Sequence, residues 1–370
     1  IILMATLVYD IAIIGAGASG LQLLYELVQA DPSGKKKILL LDSGDRSQKS
    51  WCFWEDHTSS SFPFLVEKSW NNMTYRSSQG KTIQSEIAPL SYNYISSERF
   101  FNFFFEQFIP GKSNITHLLQ RAKDIQEGED IQTILCEDGT EYKATKIADS
   151  RPTPSKGSIS QHFSGKFIEF EEPSIDDSSI TLMDFSLDFS TKEMAVFHYI
   201  LPFSSTKALI ETTVFTAASY DKENYEGIWQ NYMTSHFPQK SFKIISEEKG
   251  TIPMGFSAEE KEGKVFKIGA ASGNMKPSTG YAFTRMHQDA INRAQGARKK
   301  TPKRFRFYDK MLLKIMQNEM DKIPEVMDRL FTRVPKKEIL RFLDDKTTLA
   351  QEVKLLAQLD IPLFIKHLIR

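Results

Sequence analysis

Cysteine is nearly absent: Cys52 and Cys136 are the two in a chain of 370 residues. That excludes a disulfide framework and a cysteine-based zinc cluster, and it suits a reducing cytosol. Net charge is absent as well, because 47 basic residues balance 47 acidic ones. A nucleic-acid partner is therefore not suggested, a local patch aside. No apolar run reaches the roughly 18–20 residues of a membrane-spanning helix, so the chain is not expected to cross a bilayer. A secretory leader is not expected either. Ile1-Ile2-Leu3 precede Met4 without a basic flank or a long apolar region, and read as upstream or expression residues. No internal repeat or low-complexity segment is visible.

What the chain has in excess is phenylalanine, 27 residues, clustered as in Phe100-Phe101-Asn102-Phe103-Phe104-Phe105. Core packing is the default reading; an apolar pocket or a membrane-facing surface is the alternative.

The sharpest local pattern stands near the start. A β-branched strand, Tyr9–Ile14, runs into Gly15-Ala16-Gly17-Ala18-Ser19-Gly20 and then into a helix over 19–29, with Leu21, Leu24, Leu27 and Val28 on one side. Asp31-Pro32-Ser33-Gly34 breaks that helix, and a second apolar strand, 37–41, ends at Asp42. This is the G-x-G-x-x-G of a βαβ unit with an acid about 20 residues on, the arrangement that holds the ADP half of a dinucleotide. Gly15 permits the tight turn, Gly17 bares the backbone to a pyrophosphate, and Gly20 lets helix and sheet close up. The helix N-terminus offers free N–H groups to the phosphates. Asp42 can accept from ribose hydroxyls, and its charge argues against a 2′-phosphate. An ordinary glycine-rich turn is the competing reading. FAD is preferred over NAD because the unit opens the chain and a second glycine-rich stretch, Ile268–Tyr281, lies far downstream.

Coarse patterning places short strands and helices over 45–110 and a hairpin over 131–142 turned by Asp138-Gly139. Strands follow at 165–170, 180–185, 194–200 and 207–215, with short loops that imply an antiparallel sheet. Val265–Ala271 is a further short strand, and a helix is expected over 281–297. The basic stretch 298–306 reads as a solvated connector, with anionic contact as the minority alternative. The tail from Tyr308 to Arg370 is helical and amphipathic.

Beyond these patterns the chain resembles the flavin-dependent lycopene cyclase family in its bacterial form, over essentially its whole length. The carriers are Gly15–Gly20; Ser50-Trp51-Cys52-Phe53-Trp54-Glu55; Asp149-Ser150-Arg151-Pro152; Gln161-His162-Phe163; and Leu182-Met183-Asp184-Phe185. Further along come Leu201-Pro202-Phe203-Ser204, Ala208-Leu209-Ile210-Glu211-Thr212-Thr213, Ile252-Pro253-Met254-Gly255 and Lys276-Pro277-Ser278-Thr279-Gly280-Tyr281.

The resemblance implies an α/β fold of the two-lobed aromatic-hydroxylase class: a Rossmann-type FAD-binding lobe, an antiparallel-sheet substrate lobe and a helical C-terminal region. The expected bounds are 1–157 with 250–300 for the first, 158–249 for the second and 301–370 for the third. It implies FAD in its reduced form, held by Gly15, Gly17, Gly20, Asp42, Gly269, Gly273, Pro277 and Gly280, with NAD(P)H as the electron donor. The implied activity is a lycopene β-cyclase, turning linear ψ ends into β rings by acid–base chemistry without net redox. Glu211 would be the acid. Trp51, Phe53 and Trp54 would wall the pocket, or simply pack the core. His162 and Asp184 would orient Glu211 or the substrate, with structural hydrogen bonding as the other reading of each.

A polyene substrate also implies a cytoplasmic protein peripheral to the inner face of the cell membrane, through Phe100–Phe108 or the tail Ile361–Lys366, with burial as helices the equal alternative for both. Two departures stand out. Plant members carry two adjacent acids where Glu211-Thr212 stands here, and hydroxylases of the class show Asp-Gly and Gly-Asp where Asp149-Ser150 and Gly269-Ala270 stand. A redox flavoenzyme, a monooxygenase or an isoprenoid reductase, is the competing function, and a non-catalytic flavin or carotenoid binder is the third.

Overall fold

The computed structural model describes residues 7–56, 61–152, 159–218, 222–256, 263–297 and 301–369. Ile1–Leu3, the first part of the basic connector and the expected lobe boundary at 157/158 lie outside these residues.

The strand Val8–Ile14 forms the middle of a sheet with parallel neighbours Ile38–Asp42 and Glu141–Asp149. Ile38–Asp42 is buried at every position, as a strand covered on both faces must be. Ile115–Leu119 extends this parallel block on one side and Val265–Lys267 on the other. The hairpin of Gln132–Cys136 with Glu141–Asp149 forms as the Asp138-Gly139 pair predicts, with Gly139 at φ +86°. Helix Ala18–Gln29 packs Leu21, Leu24 and Leu27 inward against this sheet and helix Phe283–Ala294. Asp31 ends it by accepting the Lys36 N–H at 2.7 Å.

A second sheet takes, in order, Phe242–Pro253, Ser160–Phe170, Lys207–Thr216, Met194–Pro202, Ser179–Asp184, Asn72–Arg76 and Thr82–Glu86. The four strands expected between 165 and 215 are therefore present and paired. The sheet continues into strands from the mixed region 45–110, with Asn72–Arg76 running parallel to Ser179–Asp184. A small sheet of Ser50–Asp56, Leu90–Ser96 and Lys68–Trp70 carries three tryptophans and stands beside the large ones.

Two expectations change. Phe100–Phe108 is not a surface: Ser97–Asn102 is α-helical, Phe103–Phe108 continues as π-helix, and Phe100, Phe101, Phe104 and Phe108 are core. Their rings close on one another and on Tyr25, Phe62 and Phe283, so the apolar run is explained by packing. The basic stretch is also shorter as a connector, because helix Lys303–Asn318 begins inside it and Arg304 pairs with buried Glu352.

The C-terminal region is helical throughout most of its length: Lys303–Asn318, Ile323–Arg333, Lys336–Leu343, Leu349–Leu356 and Ile361–Ile369. Thr348 and Gln351 cap the fourth of these reciprocally. Tyr75 of the second sheet stacks on Phe331 with centroids 4.6 Å apart, which joins the helices to that sheet in one core.

Candidate active site

The first glycine loop has the construction its sequence implied. Gly15 has φ +97°, and a side chain there would meet the Ser150 hydroxyl at 2.1 Å. A Cβ on Gly20 would lie 1.9 Å from the Gly15 carbonyl oxygen, so helix and turn touch backbone to backbone. Around Gly17 nothing lies within 4 Å of an added Cβ. The opening is at the head of a helix whose N-cap makes no side-chain hydrogen bond. Bare backbone, open space and unclaimed N–H groups fit a pyrophosphate.

Asp42, at the end of its strand, is buried. Burial raises its carboxyl, but hydrogen bonds from His117 and Arg46 and from the Gly44 N–H hold it well below the usual range. The Arg46 guanidinium is thus committed to Asp42 rather than offered to a phosphate.

The downstream segment docks on this loop. Gly269 has φ +69°, and a Cβ on it would lie 2.5 Å from the Ser19 hydroxyl. Gly273 has φ +79°; Gly280 has φ +76°, and a Cβ on it would press Ile252 at 2.8 Å. The Pro277 carbonyl accepts the Gly255 N–H, which ties this segment to the end of the second sheet's edge strand. Lys276 is buried between Asp309 and Asp345 at 2.9 Å each, and Ser278 donates to Asp309 at 2.6 Å. No cluster of three metal-ligating side chains occurs among the described residues.

Where the glycine segment, the second sheet and the C-terminal helices meet there is a cavity of about 680 Å³. Phe163, Phe197, Tyr199, Leu209 and Phe215 line its sheet side, and Met311, Leu330, Leu355 and Phe364 its helix side. Glu211 stands in this wall. Strand alternation puts Leu209, Glu211, Thr213 and Phe215 on the cavity face, and Ile210, Thr212 and Val214 on the other.

Burial, and then the charge of Glu248, push the Glu211 carboxyl up to about 8; the Thr213 hydroxyl, donating to Oε1 at 2.6 Å, works the other way. Glu248 is buried too and is pushed up to about 7 by burial, against the Ser50 hydroxyl that donates to its Oε2 at 2.7 Å. Beside Glu211 stand three phenols: Tyr92 lies 2.7 Å from Tyr199 and 3.2 Å from Tyr281, oxygen to oxygen.

The other expected pocket residues divide. Trp51 lines the cavity. Phe53 stands behind it, stacked on Phe283 at 4.7 Å. Trp54 is core, with its Nε1 donating to the Leu340 carbonyl and Tyr281 against its ring. His162 does not face the cavity: it pairs with Val214 in the sheet, shares that residue's face, and bonds Thr251 at 2.9 Å. Burial lowers its pKa. Asp184 is fully buried away from Glu211, filled by Arg76 at 3.1 Å, Tyr232 at 2.6 Å and the Ser186 N–H at 2.9 Å.

Glu248, Ser50 and the tyrosines are the residues that motif reading missed as site residues. Glu248 sits in Glu247-Glu248-Lys249, which reads as a solvated charge run, although strand alternation with Gly250 and Ile252 marks its inward side.

Comparison with known proteins bears on the family and the fold. Residues 10–297 match the family described as lycopene cyclase protein. A capsanthin/capsorubin synthase of Citrus sinensis is 24% identical over 311 residues, 75% of this chain and 58% of that protein. A chloroplastic lycopene beta cyclase of Nicotiana tabacum is 27% identical over 172 residues, 41% of this chain and 34% of that one. The match thus spans little more than half the length of the first relative and about a third of the second.

Among solved structures, a geranylgeranyl bacteriochlorophyll reductase-like protein of Thermoplasma acidophilum superposes with TM-score 0.64 at 11% identity, covering 98% of this chain and 99% of that one. A flavin-dependent brominase gives 0.63 at 12% identity, over 92% and 94%. The fold is that of the two-lobed flavoproteins, and the chain belongs to the lycopene cyclase family.

Proposed function

We propose that the chain is a lycopene β-cyclase that closes ψ ends into β rings by proton transfer, with no net oxidation. The observation that carries this reading is a carboxyl in an apolar cavity with no cation to neutralise it among the described residues. An alkene is a very weak base, so its acid must stay protonated at neutral pH until used. Glu211, pushed up to about 8, meets that requirement. Thr213 occupies Oε1 and leaves Oε2 to carry the proton.

Protonation of the terminal double bond gives a tertiary cation; attack by an internal double bond closes the ring, and loss of a ring proton completes the β end. Phe163, Phe197, Tyr199 and Phe215 line the cavity, and the quadrupole of such rings can stabilise the cation without trapping it.

The glycine cradle of Gly15, Gly17 and Gly20, Asp42, and the segment Gly269, Gly273, Pro277 and Gly280 would hold FAD. Reduced FAD, with NAD(P)H as its electron source, would supply an anionic ring opposite the developing positive charge.

The test is expression in a lycopene-accumulating bacterial host with chromatography of the pigments. Cyclised carotene is expected, and Glu211→Ala should leave lycopene. Unchanged lycopene beside soluble, FAD-loaded wild-type protein would overturn the reading. An oxygenated or more saturated product would assign a redox flavoenzyme instead.

A polyene must also enter from a lipid phase. Ile361 and Phe307, 49% and 45% exposed, line the cavity, and Leu349 and Val353, 63% and 67% exposed, stand one turn apart on the helix whose Leu355 and Leu356 also line it. No helix among the described residues is long and apolar enough to cross a membrane. The four residues are therefore proposed to rest on the inner face of the cell membrane. Leu349→Asp with Val353→Asp should release the protein from sedimenting anionic vesicles; unchanged sedimentation removes the pair from that role.

A further inference from the structure

The edge strand Phe242–Pro253 is exposed or half-exposed along its length except at one residue, Glu248. Its apolar residues Ile244 and Ile245 are 45% and 55% exposed while this carboxylate faces inward, the reverse of ordinary placement. In the sheet, Tyr199, Glu211, Gly165 and Glu248 occupy one row across four adjacent strands. Gly165, between the two acids in this row, has no side chain, and its neighbours lean into the gap: a Cβ there would meet Leu209 Cδ1 at 2.8 Å and the Glu211 Cβ and Cγ at 3.4 and 3.5 Å.

The groups facing this pair from the surrounding elements are the thiol of Cys52 and the phenols of Tyr92, Tyr94, Tyr199 and Tyr281, none of them a cation. Of the lysines at the cavity, Lys276 is held by Asp309 and Asp345, Lys49 lies 3.6 Å from Asp45, and Lys249, next to Glu248 on its strand, is exposed and alternates to the opposite side.

We propose that Glu248 is the second acid–base group of the cavity, accepting the ring proton while Glu211 supplies the proton that starts closure. This rests on the cyclisation reading above. The step balances without a further reactant. The O–H of Glu211 breaks as a C–H forms at the terminal alkene carbon, and the internal π pair makes the new C–C bond. The ring C–H then breaks, its electron pair becomes the ring double bond, and its proton goes to Glu248. Substrate and product are isomers, and one proton has passed from Glu211 to Glu248. Its return across the gap at Gly165 resets the pair. Burial raises both carboxyls, and Glu211 further than Glu248, so near neutral pH the shared proton rests on Glu211.

The test uses the full FAD-loaded, dithionite-reduced chain acting on lycopene in liposomes, with initial rates followed from pH 5 to 9. The wild type should show a bell, falling at low pH as the base is protonated and at high pH as the acid ionises. Glu248→Gln should lower kcat about 100-fold, the scale of a lost general base. KM and FAD content should be unchanged, and the low-pH fall should disappear while the high-pH fall stays. Glu248→Asp should restore about tenfold of the loss together with the low-pH fall, and remain about tenfold slower than the wild type. Overturning results are a Glu248→Gln enzyme with wild-type kcat, or one that is slower but keeps both limbs of the bell. Should Glu248→Gln fail to fold, an aspartate variant with wild-type rate and profile also overturns the assignment. A folded, lycopene-binding wild type that forms no ring overturns the cyclisation reading and this role with it.

Discussion

The second sheet buries acids on both of its faces and treats them in opposite ways. On the face under helix Lys222–His236, Asp184 is completely buried but surrounded by donors: the Arg76 guanidinium, the Tyr232 hydroxyl and the Ser186 N–H. On the cavity face, Glu211 and Glu248 each have one hydroxyl partner and no cation among the described residues. Burial without compensation is costly, and the protein meets that cost by keeping a proton. The first arrangement holds the fold together; the second keeps a proton on the wall of an apolar cavity.

The sharpest way to break this comparison is to neutralise one acid from each face. Glu211→Gln should slow cyclisation by about 10²–10⁴-fold, the contribution of a positioned general acid. Its melting temperature should not fall, since an amide is about as easy to bury as the protonated carboxyl it replaces. Loss of stability with retained turnover would invert the assignment.

Asp184→Asn should do the reverse. It leaves Arg76 facing an amide and weakens the Tyr232 and Ser186 bonds, destabilising the fold by about 2–4 kcal/mol in chemical denaturation. The lower part of that range is expected, because the Arg76 side chain is one-third exposed. Turnover per folded molecule should be unchanged.

Stability against pH separates the faces more finely. Glu211 and Glu248 have folded pKa values of about 8 and about 7, above the ordinary carboxyl value. The folded state therefore holds more protons than the unfolded one between roughly pH 4.5 and 8, and stability falls as pH rises through that window. Melting temperature should climb from pH 8 to pH 5 in the wild type, relative to a variant carrying Glu211→Gln and Glu248→Gln together. Parallel melting profiles for the two proteins would remove the claim.

The smallest effect is expected from Thr213→Val. Loss of the donor to Oε1 raises the Glu211 carboxyl further, so the high-pH limb of the rate profile should move up by under about one pH unit. A downward shift would mean that Thr213 does not support the ionised form.

The first glycine loop and its strand were legible because their physics is local: a turn, a helix start and an acid within a few dozen residues. Glu211 was legible through a motif and through the β-branched neighbours that place it on a strand. His162 and Asp184 were motif members too, but strand parity turns His162 to the far face, and only tertiary contacts reveal that Arg76 fills Asp184. Glu248 was hidden for the complementary reason. Its flanking charges describe a solvated edge, and nothing local says that one side of that edge closes onto Ser50. For Phe100–Phe108 the default reading, core packing, holds, but composition alone left the membrane alternative open, since an apolar run looks the same whether it meets lipid or other phenylalanines.

Lys276, buried between Asp309 and Asp345, has a thermodynamic corollary. It fastens the glycine segment proposed to lie along the flavin to the first and third C-terminal helices or their flanks. Occupancy of one part and docking of the other are thereby coupled equilibria, each drawing on the other's free energy. Cofactor retention and protease resistance of the stretch after residue 300 should rise and fall as one quantity.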